Sequence, residues 1–302
     1  MEHVNQTNDN IDQCTFIEEI ETTLTSNDGI SIFVRAWIPG NPQRVLVCVQ
    51  GLGGHGGYYR ELACQVALKG TIVVAPDLRG HGHSEGVRGD IDRFDRYVMD
   101  VDVAVTWAIT MWPDTPIFVL GESMGASIAI QYIARGLYQT YQIPLVGLVF
   151  VSPVFSSAIR PNFSEVVHFI RSLLIAPTRP AVVVTGREEL GCRDPTFNAL
   201  LRADPLFVRL VSARFIIRLT LWLWQSKRKA AKINLPLLVL LGGRDYIARR
   251  SGTQAFLRRV AAREQRIVTF PQAYHCLLRD PDAPDVVRVL NVWLTAHHGK
   301  EF

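Results

Sequence analysis

The sequence predicts an α/β protein with a mostly parallel, eight-stranded sheet flanked by helices, because short apolar runs alternate with longer segments of helical spacing. A second observation is a long interruption at residues 154–232, which is too long for a plain loop and predicts an inserted helical cap. With 48% hydrophobic and 20% charged residues, the composition excludes a disordered chain. We therefore expect a core made of residues 1–153 and 233–302 and a cap made of residues 154–232.

Two β-rich runs open the predicted sheet. Residues 15–25 and 30–38 are joined by Asn27-Asp28-Gly29, which is typical of a hairpin turn. The later runs are short and apolar, as in buried parallel strands. They are residues 44–50, 71–75, 117–120, 145–151, 237–241 and 266–269.

Helical spacing of apolar residues predicts the helices that flank this sheet. They span residues 58–69, 92–112, 124–136, 252–263 and 285–297. Gly70 and Pro113 directly follow the first two, and both residue types end helices.

Charge and cysteine content limit the class of protein. A net charge of +4 is too small to indicate nucleic-acid binding. The five cysteines are odd in number and contain no CxxC pair, which predicts reduced thiols and no zinc site. No apolar run is long enough for a transmembrane helix, and the first ten residues lack the apolar region of a secretory signal. A cytoplasmic protein is expected.

The sharpest chemical signal is Gly121-Glu122-Ser123-Met124-Gly125, between a predicted strand and a predicted helix. It matches G-x-S-x-G, the pattern of a nucleophile elbow, a strained turn that exposes the serine oxygen above a sheet. Glycines on both sides relieve the close approach of neighbouring chain segments. The alternative is a glycine-rich turn at a helix N-terminus, but strand, motif and helix together favour a nucleophilic Ser123.

A nucleophilic serine needs a base and an acid that orients the base, and after an elbow the acid precedes the histidine in the chain. Asp245 and His275 each follow a predicted strand, so both should lie at the carboxyl edge of the sheet, where ligands bind. Asp280 follows His275 and does not fit this order. The alternatives are a solvent-exposed His275 and an Asp245 that caps a helix.

An acyl-transfer site also needs two backbone donors for the oxyanion. We expect one at the Met124 N–H and the other at the Leu52 N–H, in the glycine-rich loop of residues 50–57. This loop has neither the G-K-[ST] ending of a phosphate-binding loop nor the spacing of a dinucleotide site. Residues 77–84 contain two histidines but no further ligand, and are interpreted as a structural turn. No cofactor or metal is expected.

Together these segments resemble the α/β-hydrolase superfamily along nearly the whole chain, and within it the monoacylglycerol lipase and lysophospholipase (serine aminopeptidase-type) group. The matching segments are residues 51–59, 77–86, 121–125, 242–245 and 274–275. The resemblance implies the α/β-hydrolase fold and a lid over the pocket. It also implies catalytic Ser123, Asp245 and His275, with Leu52 and Met124 as oxyanion donors.

We also expect Gln50, Gly51 and Tyr274 to contact the substrate. The sequence departs from the family at Gln50, where the family usually has histidine. A glutamine amide can brace the loop by hydrogen bonds but cannot carry a charge.

The activity expected from this resemblance is hydrolysis of carboxylic esters of single-chain lipids, monoacylglycerol or lysophospholipid, through an acyl-enzyme. Such a small lipid ester is then the expected partner, and nucleic acid is not. Two alternatives stay open. The first is a short-chain esterase, thioesterase or serine aminopeptidase on the same scaffold, and the second is a hydrolase-like binding protein without turnover.

The cap contains an apolar stretch from Leu206 to Trp224 that predicts one helix, on which Arg209, Arg214 and Arg218 form no single polar face. A basic cluster follows. It consists of Lys227, Arg228, Lys229 and Lys232. Two interpretations are open: the helix packs between its own neighbours, or it borders the acyl tunnel and makes a peripheral contact with a membrane through this cluster.

Overall fold

The computed structural model describes residues 17–140, 142–184 and 188–297. Eight strands form one sheet in the order β1-β2-β4-β3-β5-β6-β9-β10. These strands are β1 (Ile17–Thr25), β2 (Ser31–Pro39), β3 (Arg44–Val49), β4 (Thr71–Pro76), β5 (Ile117–Glu122), β6 (Leu145–Val151), β9 (Leu237–Gly242) and β10 (Gln265–Phe270). Only the pairs β1–β2 and β2–β4 are antiparallel. The predicted fold class is confirmed.

Helices cover both faces of this sheet. Those outside residues 154–232 are α1 (Arg60–Ala67), α2 (Arg96–Met111), α3 (Met124–Ala134), the short α4 (Leu137–Thr140), α8 (Arg250–Leu257) and α9 (Ala283–Ala296). Buried side chains of α2, α3 and α8 fill the core on one face, and those of α1 and α9 fill it on the other. The layered packing follows from strands that are apolar on both sides.

The observed ends of two helices differ from the predicted ones. Helix α2 begins at Arg96 rather than at residue 92, and α8 ends at Leu257 rather than at residue 263. Ile91, Phe94 and Ala262 are buried although they lie outside these helices. Because apolar loop residues also enter the core, they extended the apparent helical pattern. Residues 15 and 16 of the first predicted strand lie outside the described residues.

Residues 154–232, which we call the cap segment, add no strand to the eight-stranded sheet among the residues described. They contain α5 (Phe163–Ile175), β7 (Pro180–Val183), α6 (Pro195–Ala203), β8 (Leu210–Ser212) and α7 (Ala213–Arg228). The sequence predicts a helical cap, but strands β7 and β8 pair antiparallel, so the segment combines helices with a small two-stranded sheet. Three short 3₁₀ turns complete the described structure, at Gly56–Tyr59, Glu188–Leu190 and Ala230–Lys232.

The expectation of one helix from Leu206 to Trp224 is wrong. Helix α7 begins only at Ala213, where the Ser212 hydroxyl accepts a hydrogen bond from the Phe215 N–H and caps the helix. Arg209 therefore lies outside the helix, and Arg214 forms an ion pair with Asp90 of the core. Leu210 and Val211 pair with Val183 and Val182 as an extended segment rather than forming a first helical turn.

The described helices include none that is both long enough and apolar enough to span a bilayer. Cys48, Cys192 and Cys276 are free thiols, whereas Cys64 is disulfide-bonded. The prediction of reduced cysteines is therefore wrong at Cys64, because an odd count and irregular spacing do not exclude a single pair.

Candidate active site

Ser123 occupies a strained turn between β5 and α3. Its φ of 54° and ψ of −113° lie in a region that residues other than glycine rarely adopt. A Cβ at Gly121 would lie 2.5 Å from the Ala126 Cα, and one at Gly125 would lie 2.1 Å from the Val49 carbonyl oxygen. The two glycines therefore allow β3, β5 and α3 to meet closely, with Ser123 between them.

The structure brings Ser123, His275 and Asp245 into one hydrogen-bonded chain. His275 Nδ1 lies 2.7 Å from Asp245 Oδ2, and His275 Nε2 lies 2.9 Å from Ser123 Oγ. An ionised carboxylate only accepts, so Nδ1 carries the proton and donates it to Asp245. Nε2 is then free to accept from the Ser123 hydroxyl, which is the arrangement a general base needs.

Backbone groups hold Asp245 in place. Its Oδ1 accepts hydrogen bonds from the Ile247 and Ala248 N–H groups, both at 2.8 Å. The loops of Asp245 and His275 also touch, since a Cβ at Gly242 would lie 2.2 Å from the Tyr274 carbonyl oxygen. Adjacent parallel strands β9 and β10 deliver these two loops to the same edge of the sheet.

His275 is buried, with 7% of its side chain exposed. Burial lowers the pKa of His275 and is the largest influence, but the charge and hydrogen bond of Asp245, with the charge of Glu122, outweigh it. The net pKa is raised. Two carboxylates thus favour the imidazolium that forms when a base takes a proton.

Asp280 lies near this loop but does not contact the imidazole in a described hydrogen bond. Its carboxylate forms an ion pair with Arg193 of the cap segment and accepts a hydrogen bond from the Tyr274 N–H at 3.3 Å. The Tyr274 ring packs edge-on against Tyr246, with centroids 5.0 Å apart. Sequence reasoning missed Tyr246, which is 45% exposed beside Asp245.

The glycine-rich loop passes directly over the serine. A Cβ at Gly51 would lie 3.1 Å from the Ser123 Cβ. The backbone between Gln50 and Leu52 therefore lies close to Ser123, where a larger side chain at residue 51 would be crowded. The Gln50 side chain is buried, and its Nε2 donates to the Gly54 carbonyl oxygen at 2.6 Å. Met124 begins α3 directly after Ser123.

Residues 77–84 support the base of that loop. Asp77 is fully buried beside Arg35 and accepts hydrogen bonds from the N–H groups of Gly56, at 2.6 Å, and His83, at 2.8 Å. Burial lowers the pKa of His81 to about 4. Among the described residues, no group of three or more His, Cys, Asp or Glu side chains could hold a metal ion.

Two further contacts at this site have no counterpart in the sequence motifs. The Tyr59 hydroxyl donates to Glu122 Oε2 at 2.9 Å, which ties the residue before Ser123 to the 3₁₀ turn at the end of the glycine-rich loop. In the cap segment, the Val208 N–H donates to the Gly53 carbonyl oxygen at 2.9 Å. A contact between segments this distant in the chain leaves no local pattern that could have revealed it.

A comparison with known families places the chain in one of them. A family model described as serine aminopeptidase, S33, matches residues 40–282. The chain belongs to the serine aminopeptidase S33 family. It is a hydrolase with the α/β-hydrolase fold, and the predicted resemblance to the monoacylglycerol lipase group is confirmed.

Individual relatives extend along most of the chain. A monoacylglycerol lipase of Mycolicibacterium smegmatis is 29% identical, over 92% of this chain and 97% of that protein. A monoglyceride lipase of Mus musculus is 28% identical, over 90% of this chain and 89% of that protein. A solved structure of a soluble variant of monoglyceride lipase from Saccharomyces cerevisiae has a TM-score of 0.80 at 20% identity, over 95% of this chain and 97% of that chain, and shares the fold.

Proposed function

We propose that the protein is a serine hydrolase that cleaves carboxylic esters of single-chain lipids, monoacylglycerols or lysophospholipids, through an acyl-enzyme. The observation that carries this proposal is the chain of hydrogen bonds from Asp245 through His275 to Ser123 Oγ. The substrate class is taken from relatives named monoacylglycerol lipase and monoglyceride lipase, which match the chain over nearly its full length.

In the proposed reaction, Ser123 Oγ attacks the ester carbonyl while His275 Nε2 takes its proton. Asp245 stabilises the resulting imidazolium, and the N–H groups of Leu52 and Met124 stabilise the oxyanion. The imidazolium then returns the proton to the alcohol as it leaves. Water attacks the acyl-enzyme with His275 again as base, and the fatty acid departs. Gln50, Gly51 and Tyr274 would line the substrate side of this site.

Replacement of the nucleophile tests the proposal. Ser123→Ala should lower kcat by about 10⁴-fold or more, because the covalent step is lost while the fold is kept. The assay is hydrolysis of 1-monoacylglycerol and of p-nitrophenyl esters of several chain lengths, with far-UV circular dichroism as the folding control. An Ala variant that retained more than a few per cent of wild-type kcat would contradict the assignment.

The family description makes a serine aminopeptidase the second candidate. The same three side chains would serve an amide substrate, so the substrate panel includes aminoacyl p-nitroanilides. A fluorophosphonate probe separates both enzymes from a silent binding protein, since only an activated Ser123 becomes labelled. Faster turnover of the anilides than of any ester would replace the lipid-ester proposal.

The cap segment is also proposed to contact a membrane surface. Five apolar side chains of α5 lie on one helical face and are exposed, from 38% to 85%. They are Phe163, Val166, Val167, Ile170 and Leu174. On α7, Leu221 and Trp224 are about half exposed, next to the basic cluster at residues 227–232. Apolar side chains beside basic ones suit an anionic lipid interface.

A cytoplasmic location remains a prediction from the sequence. The disulfide at Cys64 removes the cysteine pattern as a reason for it. Fractionation of cells that express the protein, with the redox state of Cys64 read by alkylation, would test the location directly.

A further inference from the structure

A carboxylate of the cap segment joins the glycine-rich loop to the cap. Asp204 Oδ2 lies 2.9 Å from His55 Nε2 and 2.5 Å from the Tyr58 hydroxyl. Asp204 Oδ1 accepts from the Leu206 N–H at 2.8 Å. His55 Nδ1 accepts from the Gly57 N–H at 3.1 Å, so the ring proton is on Nε2 and is donated to Asp204. Asp204 therefore accepts three hydrogen bonds, one from the loop and one from Tyr58 directly after it.

This contact is largely shielded from water. The side chains of His55 and Asp204 are 10% and 12% exposed, and Tyr58 packs against the rings of Phe197 and Phe207. Burial raises the pKa of Asp204, but the hydrogen bonds from Tyr58, Leu206 and His55 outweigh it, so the pKa is lowered and the group is ionised at neutral pH. Hydrogen bonds to a shielded carboxylate are stronger than exposed ones.

The cap chain next to Asp204 is fixed as well. One guanidinium nitrogen of Arg209 donates to the carbonyl oxygens of Leu201, Arg202 and Asp204, at 2.7 to 2.8 Å. Arg88 of the core donates to the Leu206 carbonyl oxygen at 2.5 Å. Asp204 thus presents its oxygens from a braced position, not from a free loop.

A second cap contact lies on the other side of the loop. The Val208 N–H bonds to the Gly53 carbonyl oxygen, and the Phe207 ring lies 2.9 Å from the position that a Cβ at Gly53 would take. Gly53 has a φ of 85°, which favours glycine there. Asp77 of the core holds the loop at Gly56, and Gln50 braces it internally. The cap contacts the loop at Gly53 and His55, and contacts Tyr58 directly after it.

We propose that Asp204 is a positioning residue for the hydrolytic reaction: through His55 and Tyr58 it fixes the loop that aims the Leu52 N–H at the oxyanion above Ser123. The inference rests on the proposed serine-hydrolase function. A backbone N–H stabilises the oxyanion fully only when it is held in position before the reaction begins. Displacing such a group by about 1 Å can lower the reaction rate by about 100-fold. The cap therefore cannot leave this loop without loosening the oxyanion site.

The test is Asp204→Asn, which keeps shape and changes hydrogen-bonding capacity. In the wild-type protein His55 and Tyr58 donate to Oδ2 of Asp204, and the Leu206 N–H donates to Oδ1. Whichever of these positions the asparagine NH₂ group takes, it therefore faces a hydrogen-bond donor. We expect kcat on a p-nitrophenyl ester to fall about tenfold to 100-fold with little change in KM, less than for outright loss of an oxyanion donor. Affinity for an alkyl boronic acid, which forms a tetrahedral adduct with the serine, should fall by the same factor.

Asp194→Asn is the matched control, because Asp194 caps α6 in the same segment and its described contact is the Thr196 N–H. Asparagine is also a good cap, so kcat and boronate affinity should stay at wild-type values. A purely structural role for Asp204 would lower thermal stability but leave kcat per folded molecule and boronate affinity within about twofold of wild type. That result would overturn the proposal.

Tyr58→Phe provides a second variant if Asp204→Asn does not fold. It keeps the ring contacts and removes one donor to Asp204, so kcat and boronate affinity should fall several-fold together. Unchanged values would overturn the proposal. Where both variants fold, the double variant should lose less than the product of the single losses, because both act through one contact. If the Asp204 variants keep full activity while Ser123→Ala is inactive, only the positioning role of Asp204 is wrong and the proposed serine-hydrolase function stands. If Ser123→Ala is active, the proposed function itself is wrong.

Discussion

Two aspartates approach the loop that carries His275, and they have different partners. Asp245 contacts the imidazole at 2.7 Å, whereas Asp280 binds Arg193 and the Tyr274 N–H. Both are buried, so burial alone does not distinguish them. The order of the residues in the chain predicts Asp245, and its hydrogen bond with His275 supports the proposal that it orients the imidazole.

Paired substitutions test the distinction. Asp245→Asn should lower kcat by about 10⁴-fold, because the amide favours the imidazole tautomer that cannot accept from Ser123. Asp280→Asn should keep kcat within about tenfold but lower the free energy of unfolding by about 1–3 kcal/mol, since Arg193 loses one of its two carboxylate partners and keeps Asp282. Ester hydrolysis and urea denaturation of both variants are the measurements. A large kcat loss for Asp280→Asn alone would reverse the assignment.

Glu122 gives a prediction about pH. In the proposed mechanism His275 acts as a base only when neutral, so activity should rise as pH passes upward through the pKa of His275. Since the charge of Glu122 contributes to the raised pKa of His275, Glu122→Gln should lower that pKa and extend kcat/KM to more acidic pH. The Gln oxygen can still accept from the Tyr59 hydroxyl, which preserves the local geometry. An acid limb that moves upward, or not at all, would contradict this account.

The residues brought together around Ser123 could be predicted to the extent that each lies within a few residues of the end of a strand. Ser123, Asp245 and His275 do so, and parallel strands end at one edge of a sheet. Asp204 could not be predicted, because it lies 149 residues from His55 and neither residue belongs to a recognisable pair in the sequence. The hydrogen bond between Asp204 and His55 forms only because the cap segment packs against the glycine-rich loop in the folded protein.

At the scale of elements, the turn between β5 and α3 depends on its glycines. Gly125→Ala should lower the free energy of unfolding by about 3 kcal/mol, the upper end for overpacking, because the new methyl group would meet the backbone oxygen of Val49. Gly40→Ala is the matched control, since nothing lies within 4 Å of its added Cβ. Urea denaturation measures both. Equal midpoints would mean that β3 and α3 can separate without cost.

The elements also show where sequence patterns fail. The eight strands of the main sheet were predicted to within one or two residues, because they are short, apolar and bounded by turn residues. The end of α8 and the start of α7 were missed, since apolar periodicity does not distinguish a helix from a buried loop or an extended segment. Pairing of β7 with β8 is a tertiary choice that overrode the expected helix.

For the whole molecule, the cap segment combines two kinds of contact. Its inner side is tied to the core by Asp204, by Arg214 with Asp90, and by Arg193 with Asp280. Helix α5, by contrast, has no fully buried residue. The apolar face of α5 therefore adds little to the core and is available to a surface outside the protein.

Vesicle co-sedimentation tests that contact. Binding should rise with anionic lipid and fall with salt, at about 1 kcal/mol for each basic side chain near the surface. Changing Lys227, Arg228, Lys229 and Lys232 together to Gln should weaken it, and so should Phe163→Ser with Leu174→Ser. As a control with equal charge loss, Lys69, Arg263, Arg266 and Arg288 are exposed on other elements. If both quadruple variants sediment as wild type does, the cluster is only a solvated surface.

The position of β1 at the edge of the sheet affects whether copies of the protein can associate by strand pairing. In the described part of the chain β1 forms one border of the sheet, pairing only with β2, and it exposes Glu18, Glu19 and Glu21. If the β1 strand of a second copy joined this border, its glutamates would lie beside these carboxylates, of which Glu19 and Glu21 also pair with Arg60 and Arg35. Like charges at such close spacing repel. The protein thereby resists intermolecular sheet growth, the first step towards fibrils, at the border where its backbone is open to pairing.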